Sequence, residues 1–468
     1  MKTATLADGT TIEYLPDMIA EGAMKQVYFT ADKSSVVCFY KDDSAGSDSK
    51  RLERLEKILN QFNPTIGNHG DIFKHLFCWP TAIVVKPQLG IVTPTYPANY
   101  FFTTGRLKGK EKESTWFVRL KPRSILPETE RGTWINYLKI CIHLARAVRR
   151  LHQGGLAHSD LSNKNVLIDP SIGQCVVIDI DSLVVPNLFP PDVLGTRGYI
   201  APEVLTTVRL PLEDPNRKNP SANTDKHALA VLIYQYLLGR HPLEGPKIHP
   251  APSAEEQELL EMGAKALFIE NPNDQSNRPS DLKIPYTALG PDLKKLFDRA
   301  FITGLHSPQN RPAAIEWERG LMKTWDLLIP CKNTYCPSHW FILHDKNNLK
   351  CPFCNSKPQS KIPLLKLRSQ RRPGNWIVDG QLVVYHYLSL FKWHAFDNIF
   401  PGENADKTPQ AYFVFYQGKW LLINQNLTKL TCPAGNLVTP GKAIELKDGE
   451  TFRLSQDSNG RMVEVQML

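Results

Sequence analysis

At 468 residues the chain is too long for one ordinary hydrophobic core and fits about three domains. Its 42% hydrophobic and 22% charged residues are the composition of a folded, soluble protein, which excludes a disordered or membrane-embedded chain. Lys plus Arg (56) exceed Asp plus Glu (47), but +9 spread over this length is a mild bias and not the footprint of a nucleic-acid binder. The longest apolar stretch, around residues 228–238, is broken by Gln235 and falls short of the roughly 18 to 20 residues of a bilayer span. No apolar run follows Lys2 at the N-terminus, so a secretory signal is not expected and the location read from the sequence is cytoplasmic.

Residues 1–100 alternate short apolar runs with turn residues, as in Gln26-Val27-Tyr28-Phe29, Val36-Val37-Cys38-Phe39-Tyr40 and Gly90-Ile91-Val92, and predict a small sheet. One helix interrupts it, with Leu52, Leu55, Leu59 and Phe62 at three- and four-residue spacing. From Trp134 the period becomes helical, and helices dominate to about Leu328. Four of the nine cysteines follow at Cys331, Cys336, Cys351 and Cys354; the others lie singly, as buried thiols of a reducing compartment. Residues 355–374 carry six basic side chains (Lys357, Lys361, Lys366, Arg368, Arg371, Arg372), three prolines and no acid, and predict a linker that could meet an acidic partner surface. From Trp376 onward, runs such as Tyr412-Phe413-Val414-Phe415-Tyr416 and Trp420-Leu421-Leu422-Ile423 predict a small antiparallel β domain.

The strongest motif is His158-Ser159-Asp160-Leu161-Ser162-Asn163-Lys164-Asn165, followed by Val166-Leu167-Ile168-Asp169. It resembles the catalytic loop of the protein kinase family. Asp179, fourteen residues after Asn165, stands where that family places its magnesium-binding Asp, and Gly195-Thr196-Arg197-Gly198-Tyr199-Ile200-Ala201-Pro202-Glu203 resembles the end of an activation segment. Asp225 matches the family's buried Asp, and Arg311 the Arg that pairs with Glu203. The resemblance covers residues 1–328 and implies an α+β, two-lobed domain with an N-lobe at 1–100 and a C-lobe at 101–328.

Each matched residue then has an implied task. Phosphoryl transfer is catalysed by positioning and charge screening, so Asp160 would accept the proton of a substrate hydroxyl while Asn165 and Asp179 offer Mg²⁺ hard oxygen ligands. Lys41, at the end of the 36–40 strand, takes the place of the ATP-contacting lysine, with Glu56 (or Glu53) as its helix partner. Gly22 and Val27 belong to the nucleotide-covering hairpin, Lys164 supplies positive charge beside the transferred phosphate, and Thr196 is the threonine that Ser/Thr kinases bond to the catalytic Asp.

The departures are a glycine-poor loop over residues 20–27, Ser159 in place of an Arg, and Asp181 in place of a Gly, where a second carboxylate could bind a second metal or face solvent. They motivate the rival reading of a pseudokinase scaffold that binds nucleotide and recruits partners. A small-molecule phosphotransferase is a second rival, opposed by the intact segment from Thr196 to Glu203, which in the family is a peptide-docking platform.

Cys78-Trp79-Pro80 and Leu89-Gly90-Ile91-Val92-Thr93-Pro94 look like a group of bacterial kinase-like proteins associated with tellurium resistance. That likeness implies, as partners, a von Willebrand A-domain protein and a PPM-type phosphatase. The cysteine pairs, joined by a short β-forming stretch, predict a zinc ribbon at 329–358 whose four thiolates complete a structural Zn²⁺ shell. His339 and His344 lie between the pairs and are read as ordinary turn or strand residues. After a basic linker at 359–375, residues 376–468 weakly resemble a degenerate forkhead-associated β-sandwich without its phosphothreonine-contacting motifs. The function read from the sequence is ATP- and Mg²⁺-dependent transfer of phosphate to Ser or Thr of a partner protein, without nucleic acid or membrane.

Overall fold

The computed structural model describes the chain except residues 23, 42–44, 68–69, 187, 189–194 and 212, with 45–48 described only as backbone. It divides into two compact units, Met1–Leu282 with Leu296–Glu318, and Lys283–Lys295 with Arg319–Leu468. Among the described residues no helix is long and apolar enough to cross a membrane.

The first unit begins with six antiparallel strands: β1 (Lys2–Leu6), β2 (Thr11–Glu21), β3 (Lys25–Thr30), β4 (Ser35–Tyr40), β5 (Ala82–Lys86) and β6 (Gly90–Pro94). Instead of an open sheet they close in the order β1-β2-β3-β4-β6-β5, because β1 pairs with both β2 and β5. Side chains alternate across β4: Val37 and Phe39 join Ala4, Tyr14, Val84 and Val92 on one face, while Cys38 and Tyr40 join Leu55, Ile83 and Ile91 on the other. The helix Ala45–Glu56 therefore packs against the face that carries Cys38 and Tyr40.

The rest of this unit is built on two buried helices. Trp134–Gln153 presents an apolar stripe from Tyr137 to Leu151, and Ala222–Leu238 is buried along most of its length. Thr224 Oγ1 accepts from Ser221 N (2.9 Å) to start the second helix, and Gly239, at φ 67°, ends it with N–H donated to Gln235 O (2.7 Å). Tyr234 meets Phe268, Phe297 and Phe301 edge-on, which fixes the helix within the core. Between the two helices in sequence lies the hairpin β7 (Val166–Asp169) and β8 (Gln174–Val177).

In the second unit β9 (Leu328–Pro330) pairs with β10 (Trp340–Ile342), and the four cysteines cluster around that hairpin. Two four-stranded antiparallel sheets follow. One has the order β12-β11-β18-β17, from β11 (Pro363–Arg372), β12 (Asn375–Val383), β17 (Thr451–Arg453) and β18 (Met462–Met467). The other runs β13-β14-β15-β16, from β13 (Ser389–Leu390), β14 (Ala411–Tyr416), β15 (Lys419–Asn424) and β16 (Ala443–Glu445). Leu365, Leu367 and Val463 of the first share one core with Phe413, Leu422 and Ile444 of the second.

The basic stretch expected to be a linker is thus mostly the interior strand β11. Leu365, Leu367 and Ser369 point inward, and Lys366 and Arg368 lie on the other face paired with Glu464 of β18. Arg371 faces Asp379 of the neighbouring β12 at 3.8 Å. Residues 363–372 of the expected linker at 359–375 are therefore strand, with Lys366 and Arg368 neutralised by Glu464, while Lys357, Lys361, Arg371 and Arg372 stay exposed.

Candidate active site

The loop from His158 to Asn165 is held by its backbone before any side chain acts. Asp225 on the buried helix is 1% exposed, and its Oδ2 accepts from His158 N (2.8 Å) and lies 3.0 Å from His152 Nε2. His158 Nε2 reaches Ile178 O (3.0 Å), and Ile178 N donates to Asn165 O (3.0 Å), so the loop and the end of β8 form one frame. Ser159, standing where an Arg was missing, donates from Oγ to Ser182 O (2.7 Å) and adds a neutral tie to the same frame.

Asp160 is fixed at both carboxylate oxygens. Oδ1 accepts from Thr196 N (2.6 Å), and Oδ2 accepts from Thr196 Oγ1 (3.1 Å) and Asn165 Nδ2 (3.1 Å). Asn165 Nδ2 also donates to Asp160 O (2.7 Å), which leaves its Oδ1 as the oxygen donor. Beside this carboxylate a groove of about 490 Å³ is lined by Arg119, Asn163, Lys164, Thr196, Arg197 and Glu244. The segment behind it is anchored by Arg311, whose side chain is fully buried and whose two terminal nitrogens donate to Glu203 at 2.8 and 2.7 Å.

The nucleotide-side half departs from the expected arrangement. Asp179 sits in the left-handed region (φ 62°, ψ 41°), unusual for a non-glycine residue, and its Oδ1 lies 2.5 Å from Lys25 Nζ. Asp181 does not face solvent: it is 6% exposed, contacts Lys25 Nζ at 2.8 and 3.0 Å, and accepts from Tyr40 OH at 2.5 Å. Burial opposes the charge on Lys25, but Asp181, Asp179 and Tyr40 outweigh it and hold the ammonium well above its ordinary pKa. Burial likewise works against ionised Asp179, and the Lys25 charge overcomes it and lowers that carboxyl. Burial and then Asp181 push the Tyr40 phenol well up, so it donates its proton.

Lys41 is not in this cluster. Its Nζ pairs with Glu21 at 2.9 Å, with both side chains well exposed. The reason is strand phase, because Tyr40 points to the carboxylates and the next residue along must leave the other way. Glu56 is exposed too, as is Glu53, which pairs with Lys57 at 3.4 Å. The helix ends at Glu56 in a wide turn closed by Phe62 N donating to Lys57 O (3.0 Å), and Leu55 and Ile58 take the buried positions. From that helix Arg51 lays its guanidinium 4.5 Å from the centre of the Tyr40 ring. Gly22 N donates to Lys25 O (2.9 Å) and closes the tip of the hairpin, and Val27 packs over Cys38 and Tyr40. Ala23 of the loop lies outside the described residues.

The comparisons with known proteins cover mainly the first half of this description. Residues 113–313 match the family described as protein kinase domain. The serine/threonine-protein kinase PknD of Chlamydia felis is 29% identical over 261 residues, 49% of this chain and 24% of that protein. The dual specificity protein kinase TTK of Mus musculus is 28% identical over 194 residues, 36% of this chain and 21% of that protein. The chain thus spans about a quarter or less of the length of these relatives. Among solved structures, a Toxoplasma gondii rhoptry antigen kinase domain aligns with a TM-score of 0.43 at 14% identity, over 69% of this chain and 85% of that one. The match brackets Asp160, Lys164, Asn165, Asp179, Thr196, Glu203, Asp225 and Arg311; it begins after Lys25 and Lys41.

Among the described residues, two groups of donors suit metals. In the first unit Asp179 and Asp181 converge on one cation, the Lys25 ammonium, within 3.0 Å, and oxygen ligands of this kind suit Mg²⁺. In the second unit the sulfurs of Cys331, Cys336, Cys351 and Cys354 lie within 4.8 Å of one another. Cys331 and Cys354 are 3.5 Å apart and Cys336 and Cys351 3.7 Å, close to the about 3.8 Å edge of a tetrahedron with Zn–S of about 2.3 Å. His344 Nδ1 instead contacts Ile342 O at 3.0 Å, so the donor set is four thiolates.

In the sequence Lys25 stands out only as part of the glycine-poor loop at 20–27, and Tyr40 only as the end of a strand. The signal that would have found both is the hairpin register, in which Lys25 stands directly opposite Tyr40.

Proposed function

We propose that the chain is an ATP- and Mg²⁺-dependent protein kinase that transfers the γ-phosphate to a Ser or Thr hydroxyl of a partner protein in a bacterial signalling system. The observation that carries this reading is the bonding of Asp160 by Thr196 and Asn165, which holds one carboxylate next to a groove that Thr196 also lines. The acceptor oxygen attacks the γ-phosphorus, the bond from that phosphorus to the β–γ bridging oxygen breaks, and ADP leaves with the electron pair. The hydroxyl proton passes to Asp160.

Asn165 and Asp179 would hold Mg²⁺, which supplies charge neutralisation of the phosphates when bound. Lys164, in the groove wall, places a positive charge next to the acceptor. The threonine bonded to Asp160 favours an aliphatic hydroxyl as acceptor, and the intact segment from Thr196 to Glu203 supports a polypeptide over a small molecule. The four cysteines would hold a structural Zn²⁺, which would supply folding energy to the segment around β9 and β10. The first acceptors to try are the von Willebrand A-domain protein and the PPM-type phosphatase that the sequence resemblance implies.

Radiolabelled ATP with these proteins, followed by phosphosite mapping, tests the reading. Label on Ser or Thr that disappears in Asp160→Ala and Asp179→Ala supports it. Nucleotide binding without any transfer by the wild type would make the chain a scaffold, and label only on small molecules would change the substrate class.

A further inference from the structure

In β3 and β4 the register pairs Lys25 with Tyr40, Gln26 with Phe39 and Val27 with Cys38. Residues directly opposite in an antiparallel pair share one face of the sheet, with their Cβ atoms about 5 Å apart. An ammonium on residue 25 can therefore serve the same volume as one on residue 40. Tyr40 has no positive charge to offer there, but its hydroxyl bonds Asp181, and Lys25 fills the remaining space between Asp181 and Asp179. Lys41 is turned away and neutralised by Glu21.

The helix side is altered in the same sense. Its carboxylates at Glu53 and Glu56 are exposed, and it sends Arg51 over the Tyr40 ring. A carboxylate still holds the lysine, but it is Asp181, two residues beyond Asp179.

We propose that Lys25, carried by the nucleotide-covering hairpin, is the residue that contacts the phosphates of the bound nucleotide, and that Asp181 is its positioning residue. This rests on the kinase reading for the identity of the ligand. Lys25 opens β3 and is 20% exposed, so its charge can reach the phosphates while Asp179 and Asp181 keep it at the metal edge of the site.

The test is calorimetric binding of ATP·Mg²⁺ and of adenosine to the full chain, a readout that does not require phosphotransfer. Lys25→Met is expected to weaken ATP by about 10- to 100-fold, the size of a lost charge-assisted contact, while adenosine binding is unchanged. Retained adenosine binding also shows that the variant is folded. Lys25→Arg should recover most of the ATP affinity, and Lys41→Met should leave both ligands within about twofold of wild type. Asp181→Asn should weaken ATP less than Lys25→Met and add nothing in the double variant, since both remove one interaction.

Lys25→Met binding ATP as wild type does, or Lys41→Met losing ATP to the same degree, would overturn the proposal. So would full additivity of Asp181→Asn with Lys25→Met. Failure of the wild type to transfer phosphate would count against the kinase reading and leave this binding pattern to be judged by itself.

Discussion

The two halves of the candidate site treat the kinase pattern differently. Around Asp160 each matched residue meets a matched partner: Thr196 and Asn165 on its carboxylate, Asp225 beneath the loop, Arg311 on Glu203. Around the nucleotide the residue types are exchanged between strands, with Lys25 opposite Tyr40, Asp181 in place of a helix carboxylate, and Arg51 on the helix. On the proposed function the lower half would handle the acceptor and its proton, where one atom must sit at one place. The upper half has to deliver a positive charge to a volume, and neighbouring strands can do that equally well.

Asp160→Asn should give the largest loss. It removes the proton acceptor, so kcat should fall by about 10²- to 10⁴-fold with ATP affinity retained, measured by steady-state transfer. An Asn variant with unchanged kcat would break the lower half of the comparison.

Arg311→Ala comes next and acts on stability. It leaves Glu203 without its buried bidentate partner and should cost about 3 to 5 kcal/mol in denaturant unfolding of the first unit. Exchange of both residues for apolar ones should cost less than Arg311→Ala alone, because no uncompensated charge is left behind.

Thr196→Val retains the backbone bond to Asp160 Oδ1 and removes only the hydroxyl bond to Oδ2. A hydrogen bond to a charged group contributes about 1.5 to 3 kcal/mol, so kcat should drop about tenfold or somewhat more, with the KM for ATP unchanged. Glu56→Ala is the smallest change. An exposed residue at the helix end should leave kcat/KM within about twofold, whereas a loss of 100-fold would restore the helix glutamate to the site and contradict the rewired upper half.

This contrast also accounts for what could be read from the sequence. The catalytic loop, the Asp179 position and the Thr196-to-Glu203 segment lie close together along the chain. Short connections through β7 and β8 fix their spacing, so local order in the sequence carries their order in space. Arg311 is distant, but Asn310-Arg311-Pro312 is a distinctive local string. The four cysteines were legible for a similar reason, since two close pairs can meet around one hairpin.

The upper half depends on information that is not local. Whether residue 40 or 41 faces the cleft is a matter of one residue of strand phase, and whether Lys25 can replace either depends on the β3–β4 register. Glu56 stands four residues after Leu52, but the wide turn at 57–61 breaks that periodicity, and Leu55 and Ile58 take the buried positions. In β11 the alternation of Leu365, Lys366, Leu367 and Arg368 was present, and the excess of basic residues obscured it; Glu464, which neutralises two of them, is nearly a hundred residues away. The closed barrel was hidden as well, because β1 gains its second partner only when β5 returns.

The most direct test is a crystal structure of the full chain with Mg²⁺ and a non-hydrolysable ATP analogue. The account predicts Lys25 Nζ within hydrogen-bond distance of a phosphate oxygen, the metal on Asp179 and Asn165, and Lys41 still outside with Glu21. Phosphates contacted by Lys41, with Lys25 directed to solvent, would contradict it.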